Sequence, residues 1–193
     1  PASLGITQPD CMIWEAIGLG LQGNGRILLG RRMLDGSGGL MLDLARLNSD
    51  GSLDSDFTSR FRADGRVTEI RIQPDDKILI AGEFTLINNL SRPGLARLNA
   101  DGSLDASFNP PSLDAWPLAL APDGKVMVGS SNSVVQLNPD GSLNARFHAE
   151  TDYWVATALV QPDGQVLIGG FFTRVNGVPQ PGVARLNGDL TPV

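Results

Sequence analysis

The sequence predicts an all-β protein in which one small antiparallel unit is used four times. Three observations predict it. The stretch Leu98 to Phe108, LNADGSLDASF, recurs as LNSDGSLDSDF from Leu47 to Phe57 and as LNPDGSLNARF from Leu137 to Phe147, with a truncated copy in Leu186-Asn-Gly-Asp-Leu190. A second motif precedes each copy, as Gln22-Gly-Asn-Gly25, Gln73-Pro-Asp-Asp76, Ala121-Pro-Asp-Gly124 and Gln161-Pro-Asp-Gly164. A short apolar run follows each of these: Ile27 to Gly30, Ile78 to Gly82, Val126 to Gly129 and Val166 to Gly170. Self-similarity at a period of about 40–50 residues, with turn signals at fixed offsets and no helical periodicity between them, is the mark of a repeat architecture.

Within one unit the elements follow in order as strands a to d. Segments such as Val67-Thr-Glu-Ile-Arg-Ile72 read as strand a. The Pro-Asp-Gly turn comes next: Pro presets φ at the second turn position, and the residue after Asp takes positive φ, which Gly does without a Cβ clash. Asp76 stands in place of that Gly in the second unit, at some cost in stability. The apolar runs are too short for helices and read as b strands covered on both faces. Longer b-to-c connections span Glu83 to Leu95 and Phe171 to Val183, whereas the third shrinks to Ser130-Ser-Asn-Ser133. Strand c is Leu95-Ala-Arg-Leu98 and its equivalents, the Asp-Gly-Ser turn reverses the chain, and Leu104-Asp-Ala-Ser-Phe108 suits strand d. Four antiparallel strands per unit at this period match the blade of a β-propeller; a linear β-solenoid normally has a shorter repeat.

The fourth unit, with Gln161-Pro-Asp-Gly-Gln-Val-Leu-Ile-Gly-Gly170, Phe172-Thr-Arg-Val-Asn-Gly177 and Ala184-Arg-Leu-Asn187, resembles the delta-60 repeat family of bacterial β-propeller-like domains. The second unit resembles it through Phe84-Thr85, Asn88, Arg92 and Ala96 to Asp105. The resemblance spans essentially the whole chain, with departures at Arg31 to Gly39 and in the short third unit. It implies a secreted or surface protein of bacteria and supplies no catalytic residues. We therefore expect a single domain over 1–193, with repeats at about 14–62, 66–113, 115–150 and 153–193. Ser3 to Thr7, within residues 1–8, lies where a d strand would complete the last blade. Two architectures fit: a complete small ring of four blades, or an arc of a larger ring finished by further repeats or by another copy.

Composition narrows the partners. A net charge of -6 disfavours phosphate backbones and anionic membrane surfaces, so nucleic acid is not expected. No run approaches the roughly 20 apolar residues of a membrane span, so no membrane insertion is expected. Pro1 is not followed by a signal-like segment, which reads as a processed product or an excerpt. Cys11 is the sole cysteine and His148 the sole histidine, which rules out an intrachain disulfide and multi-histidine or thiolate metal centres. An extracellular or cell-surface location is the expectation that goes with the resemblance.

The candidate chemistry is sparse. Asp50, Asp101 and Asp140 faintly suggest calcium loops, but Asx hydrogen bonding in a hairpin accounts for the same residues, and no metal or other cofactor is expected. Lys77 and Lys125, the two lysines, occupy the same place beside a turn and carry a repeat role. Glu15, Glu69 and Glu83 are the carboxylates that a propeller hydrolase or lactonase would need around a central channel with a cation. The aromatics give a different lead. Trp14, Trp116 and Trp154, with Tyr153, lie at d-to-a junctions, which emerge at the same end of a blade as the variable b-to-c connections. Loops held by a rigid scaffold carry function more often than tight turns do. The reading that follows is a non-enzymatic recognition or scaffold module that binds protein or carbohydrate there, through Trp14, Trp116, Tyr153 and Trp154, with Asn88, Arg92 and Asn176 as polar contacts.

Overall fold

The computed structural model describes residues 13–34, 40–113, 118–188 and 191, and the chain divides into two compact units, Pro1–Asp105 and Ala106–Val193. The segment 1–8, Cys11, the loop Gly36 to Gly39 and Trp116 lie outside the described residues, as do the side chains of Trp14 and Glu15.

The first unit opens with β1 (Ile13–Leu21), β2 (Ile27–Leu34) and β3 (Leu40–Leu47), an antiparallel sheet in chain order, followed by the short helix α1 (Ser55–Arg60). Next come β4 (Arg66–Ile72) and β5 (Ile78–Glu83), a small hairpin of β6 (Leu86–Ile87) and β7 (Leu90–Ser91), and β8 (Leu95–Leu98), which returns to pair with β5. The second unit begins with β9 (Leu118–Leu120), β10 (Val126–Gly129), β11 (Ser133–Leu137) and β12 (Leu143–Glu150), a full four-stranded sheet. It ends with β13 (Val155–Val160), β14 (Val166–Gly170), a second small hairpin of β15 (Arg174–Val175) and β16 (Val178–Pro179), and β17 (Val183–Leu186) paired to β14. These are four blades, two in each unit.

Both turn series are tight reversals with a left-handed fourth residue. The N–H of Gly51 donates to the carbonyl of Asn48 at 2.9 Å, and that of Asp76 donates to Gln73 at 2.9 Å. Gly51, Gly102, Gly124, Gly141 and Gly164 all have φ between 82° and 90°, and Asp76 adopts φ 62°. The Asp76 strain has a return: its carboxylate accepts the N–H of Gly23, in the turn of the neighbouring blade, at 2.7 Å.

Strand d departs from expectation in the first two blades. Leu53 and Leu104 each make a single bridge, to Leu47 and Leu98, and the chain then leaves the sheet. In the first blade Asp54 is the reason, because its Oδ1 accepts the N–H of Phe57 at 3.1 Å and caps α1. In the second, residues 106–107 form a turn rather than the predicted strand. The third blade has Asn144 where those blades have Asp54 and Asp105, and there β12 stays in the sheet, pairing with β11 at Leu143 and, past a register shift, from His148 to Glu150.

Within each unit one blade packs face to face on the next. Leu28, Leu44 and Phe57 of the first blade share a core with Ile78, Ile80, Ala96 and Leu98 of the second. Met127 and Val134 of the third pack with Val166, Ile168, Ala184 and Leu186 of the fourth. Burial at both faces, predicted for all the b strands, holds for β5 and β10 but not at the two ends of the series. In β2 Leu28 is buried while Ile27 and Leu29 are half-buried, and in β14 Val166 and Ile168 are buried while Leu167 is half-buried; on the c strand β17, Ala184 and Leu186 are buried while Val183 and Arg185 are exposed.

Candidate functional site

The small hairpins are built by their asparagines. Asn88 and Asn89 have φ of 50° and 63°, and Asn176 and Gly177 have 49° and 77°, the two left-handed residues of a type I′ turn. Asn88 Oδ1 accepts the Arg62 N–H at 2.8 Å and its Nδ2 donates to the Arg60 carbonyl at 2.8 Å, while Asn176 Oδ1 accepts the Glu150 N–H at 2.9 Å. These amides tie each hairpin to the segment entering its blade. Asp64 and Asp152 complete the tie: Asp152 accepts the Thr173 hydroxyl and the N–H groups of Thr173 and Arg174 at 2.7 and 2.9 Å. The Thr173 hydroxyl, with those two N–H groups, holds the Asp152 carboxyl down to about 2. Arg92 donates from Nη1 to the Ser91 carbonyl at 2.7 Å, and its Nε is buried without a hydrogen-bond partner among the described residues.

Of the expected aromatic residues, Tyr153 and Trp154 are in view, 62% and 42% exposed. Trp154 stacks on Phe171, with ring centroids 5.8 Å apart and planes 20° from parallel. Phe171 is itself 65% exposed. The pair is fixed by backbone, since the Phe171 N–H donates to the Trp154 carbonyl at 2.9 Å. Gly170 makes that approach possible, because a Cβ there would lie 2.2 Å from the same carbonyl oxygen. Tyr153, Trp154 and Asn176 therefore belong to one loop cluster, residues 150–154 against 171–177, held by successive contacts. Asn88 and Arg92 sit on the equivalent hairpin of the second blade, in the other unit. Sequence reasoning missed Phe171, whose one signal is that Phe172 already fills the buried position beside it.

A cleft of about 620 Å³ opens at the opposite end of the second unit, among the turns of the third and fourth blades. Its origin is legible by comparison with the first two blades. There Arg46 donates from Nε and Nη2 to Asp54 Oδ2 at 3.0 and 2.8 Å, from Nη1 to Gln22 Oε1 at 3.3 Å, and to the Ala100 carbonyl of the next blade. Its guanidinium also lies 4.3 Å from the centroid of Phe57. The third blade has Ala121, Gln136 and Asn144 at the places of Gln22, Arg46 and Asp54, and all three line the cleft. Asn144 Nδ2 bonds Gln136 Oε1 at 2.8 Å, so neither side chain reaches the fourth blade as Arg46 reaches the second. Asp123, Lys125, Arg146 and Asp163 give the rim both signs of charge.

The remaining candidates have structural partners. Asp50 Oδ1 accepts the N–H and hydroxyl of Ser52 at 2.9 and 2.6 Å, and Asp101 and Asp140 do the same with Ser103 and Ser142. Lys77 pairs with Asp105 at 3.0 Å and Lys125 with Asp123. Burial pushes the Glu69 carboxyl up against the opposing pull of its partner Arg71, while Glu83 is exposed. His148 is exposed on β12. Among the described residues no three His, Cys, Asp or Glu side chains are grouped to hold a metal, and no helix is long and apolar enough to cross a membrane.

Repeated antiparallel blades, joined by two conserved-geometry turns and packed face to face, define a β-propeller repeat protein. The model of the family described as "Domain of unknown function (DUF5122) beta-propeller" matches residues 22–57, 73–108, 121–147 and 161–192. The chain belongs to that family, and each of the first three matches runs from the a-to-b turn to the Phe after the c-to-d turn. No curated protein matches the chain in sequence. Among solved structures it is similar to virginiamycin B lyase from Staphylococcus aureus, at 10% identity and TM-score 0.50, over 92% of this chain and 68% of that one. It is similar also to a protein assigned as a gluconolactonase, at 13% identity and TM-score 0.49, over 95% and 79% of the two chains. A third is the extracellular domain assigned to a one-component system of B. thetaiotaomicron, at 15% identity and TM-score 0.47, over 92% and 27%. At these identities the likeness is one of fold.

Proposed function

We propose that this chain is a non-enzymatic recognition module of a secreted or surface-bound bacterial protein, which binds carbohydrate or an apolar protein segment at the loop cluster of its fourth blade. The observation that carries the reading is the exposed shelf of Tyr153, Trp154 and Phe171 on loops locked by Asp152 and Asn176. Ring faces held rigid in solvent stack on the apolar face of a sugar, or on an aromatic side chain, with little ordering cost on binding. The extracellular setting rests on the resemblance to delta-60 repeats.

Titration of Trp fluorescence against a panel of neutral oligosaccharides tests it. Binding should weaken at least about tenfold in Trp154→Ala and Phe171→Ala, with the melting temperature little changed. Unaltered binding together with a markedly lower melting temperature would assign these rings to packing and retire the proposal.

A further inference from the structure

The interface between the first two blades has a gripping face and a receiving face. On the first blade the gripping face is Leu28, Leu44 and Arg46, at 0%, 0% and 4% exposure. It is completed by Gln22, whose Nε2 donates to the Asp76 carbonyl at 3.2 Å, while Arg46 donates to the Ala100 carbonyl. Ile70 and Ile72 of the second blade close over Gly18 and Gly20, where a Cβ would meet them at 3.4 and 2.9 Å.

The fourth blade carries corresponding side chains, with Thr157 and Leu159 in place of Gly18 and Gly20, on a face that is open among the described residues. Gln161, Leu167, Val183 and Arg185 occupy the places of Gln22, Leu28, Leu44 and Arg46. Val183 is 65% exposed, Leu159 on the adjoining strand is 58% exposed, and Arg185 is exposed. Gln161 Oε1 is buried without a hydrogen-bond partner among the described residues, where Gln22 Oε1 has Arg46. The first blade shows the converse. Leu19 and Leu21, which stand where the second blade has Ile70 and Ile72, are each 68% exposed, and Ser49, at the place of Ala100, is exposed as well.

We propose that the gripping face of the fourth blade binds the receiving face of the first blade of a second copy of this chain, head to tail. The contact would continue the interface that the first blade makes with the second through Gln22, Leu28, Leu44 and Arg46, and both complementary halves are displayed. Arg185 then donates to the Ser49 carbonyl and Gln161 to the Gly25 carbonyl of the second copy, and Leu159 and Val183 cover Leu19 and Leu21. Such a contact is heterologous, so it closes into a ring or extends according to its rotation.

Light scattering of the 193-residue chain across a range of concentration tests this. The expected mass rises to at least about twice that of the monomer, and Arg185→Glu and Val183→Asp each return it to the monomer. Mixing Val183→Asp with Leu19→Asp leaves one intact half on each and should restore a dimer that grows no further. A monomeric wild type at all concentrations, or an oligomer indifferent to both Arg185→Glu and Val183→Asp, would overturn the proposal. Arg185→Glu serves if an apolar substitution proves to unfold the chain, since Arg185 is exposed on the surface it tests.

Discussion

Asp152 shows how a single carboxylate positions a loop that carries aromatic side chains. Its pKa lies near 2, below the unfolded value of about 3.9, so the ionised form is favoured by the fold. Its contribution to stability is complete above the unfolded pKa and is lost as pH falls through the folded one. Asp152→Asn should therefore melt below wild type at pH 7, and the gap should narrow between pH 4 and 2; a gap independent of pH would contradict the assignment. Arg46 is the residue-scale counterpart inside a blade interface. It is 4% exposed and is joined to Asp54, whose carboxyl burial pushes up but whose bonds to the Phe57 N–H and to Arg46 bring below its usual value. Removing one partner leaves the other charge buried, so Arg46→Ala should cost about 3–5 kcal/mol in chemical denaturation. A loss within that of an exposed ion pair, about 1 kcal/mol or less, would place Arg46 in solvent.

At the scale of elements, both turns and the b and c strands were legible because their signals are local: in the described Pro-Asp-Gly and Asp-Gly-Ser turns the glycine takes positive φ. Strand d was not, because its fate depends on one side chain. Asp54 turns Ser55 to Phe57 away from the sheet by capping α1, and the offset between Asp54 and Phe57 was the signal available for it. The cleft was not legible either, since it arises from groups missing in the third blade relative to the first. That origin makes it reversible. Gln136→Arg with Asn144→Asp and Ala121→Gln restores the set seen at Arg46, Asp54 and Gln22, and should fill the cleft and raise the melting temperature. An unchanged or lower melting temperature would mean that the fourth blade does not present a carbonyl, as Ala100 does, to receive the guanidinium. Phe171 escaped for a similar reason: a Phe-Phe pair at the end of an apolar run does not say which ring faces solvent until the strand is paired.

The blades differ in how their strands are covered: β5, β8 and β10 are buried on both faces, whereas β17 alternates between buried and exposed residues. Apolar runs such as Val166-Leu-Ile168 promise two covered faces, yet which face is covered depends on packing that no local pattern encodes. Position along the series therefore decides what an identical residue type does, and Val134 and Val183 make the comparison directly. They occupy the same place on strand c of adjacent blades, one fully buried and the other 65% exposed. Thermal melts of Val134→Asp and Val183→Asp, run in solution dilute enough to keep the chain monomeric, measure that difference. A buried, unpaired carboxylate is strongly disfavoured, so Val134→Asp should lower the melting temperature severely or prevent folding, while Val183→Asp should shift it little. Equal losses at the two positions would contradict the open outer face of the fourth blade.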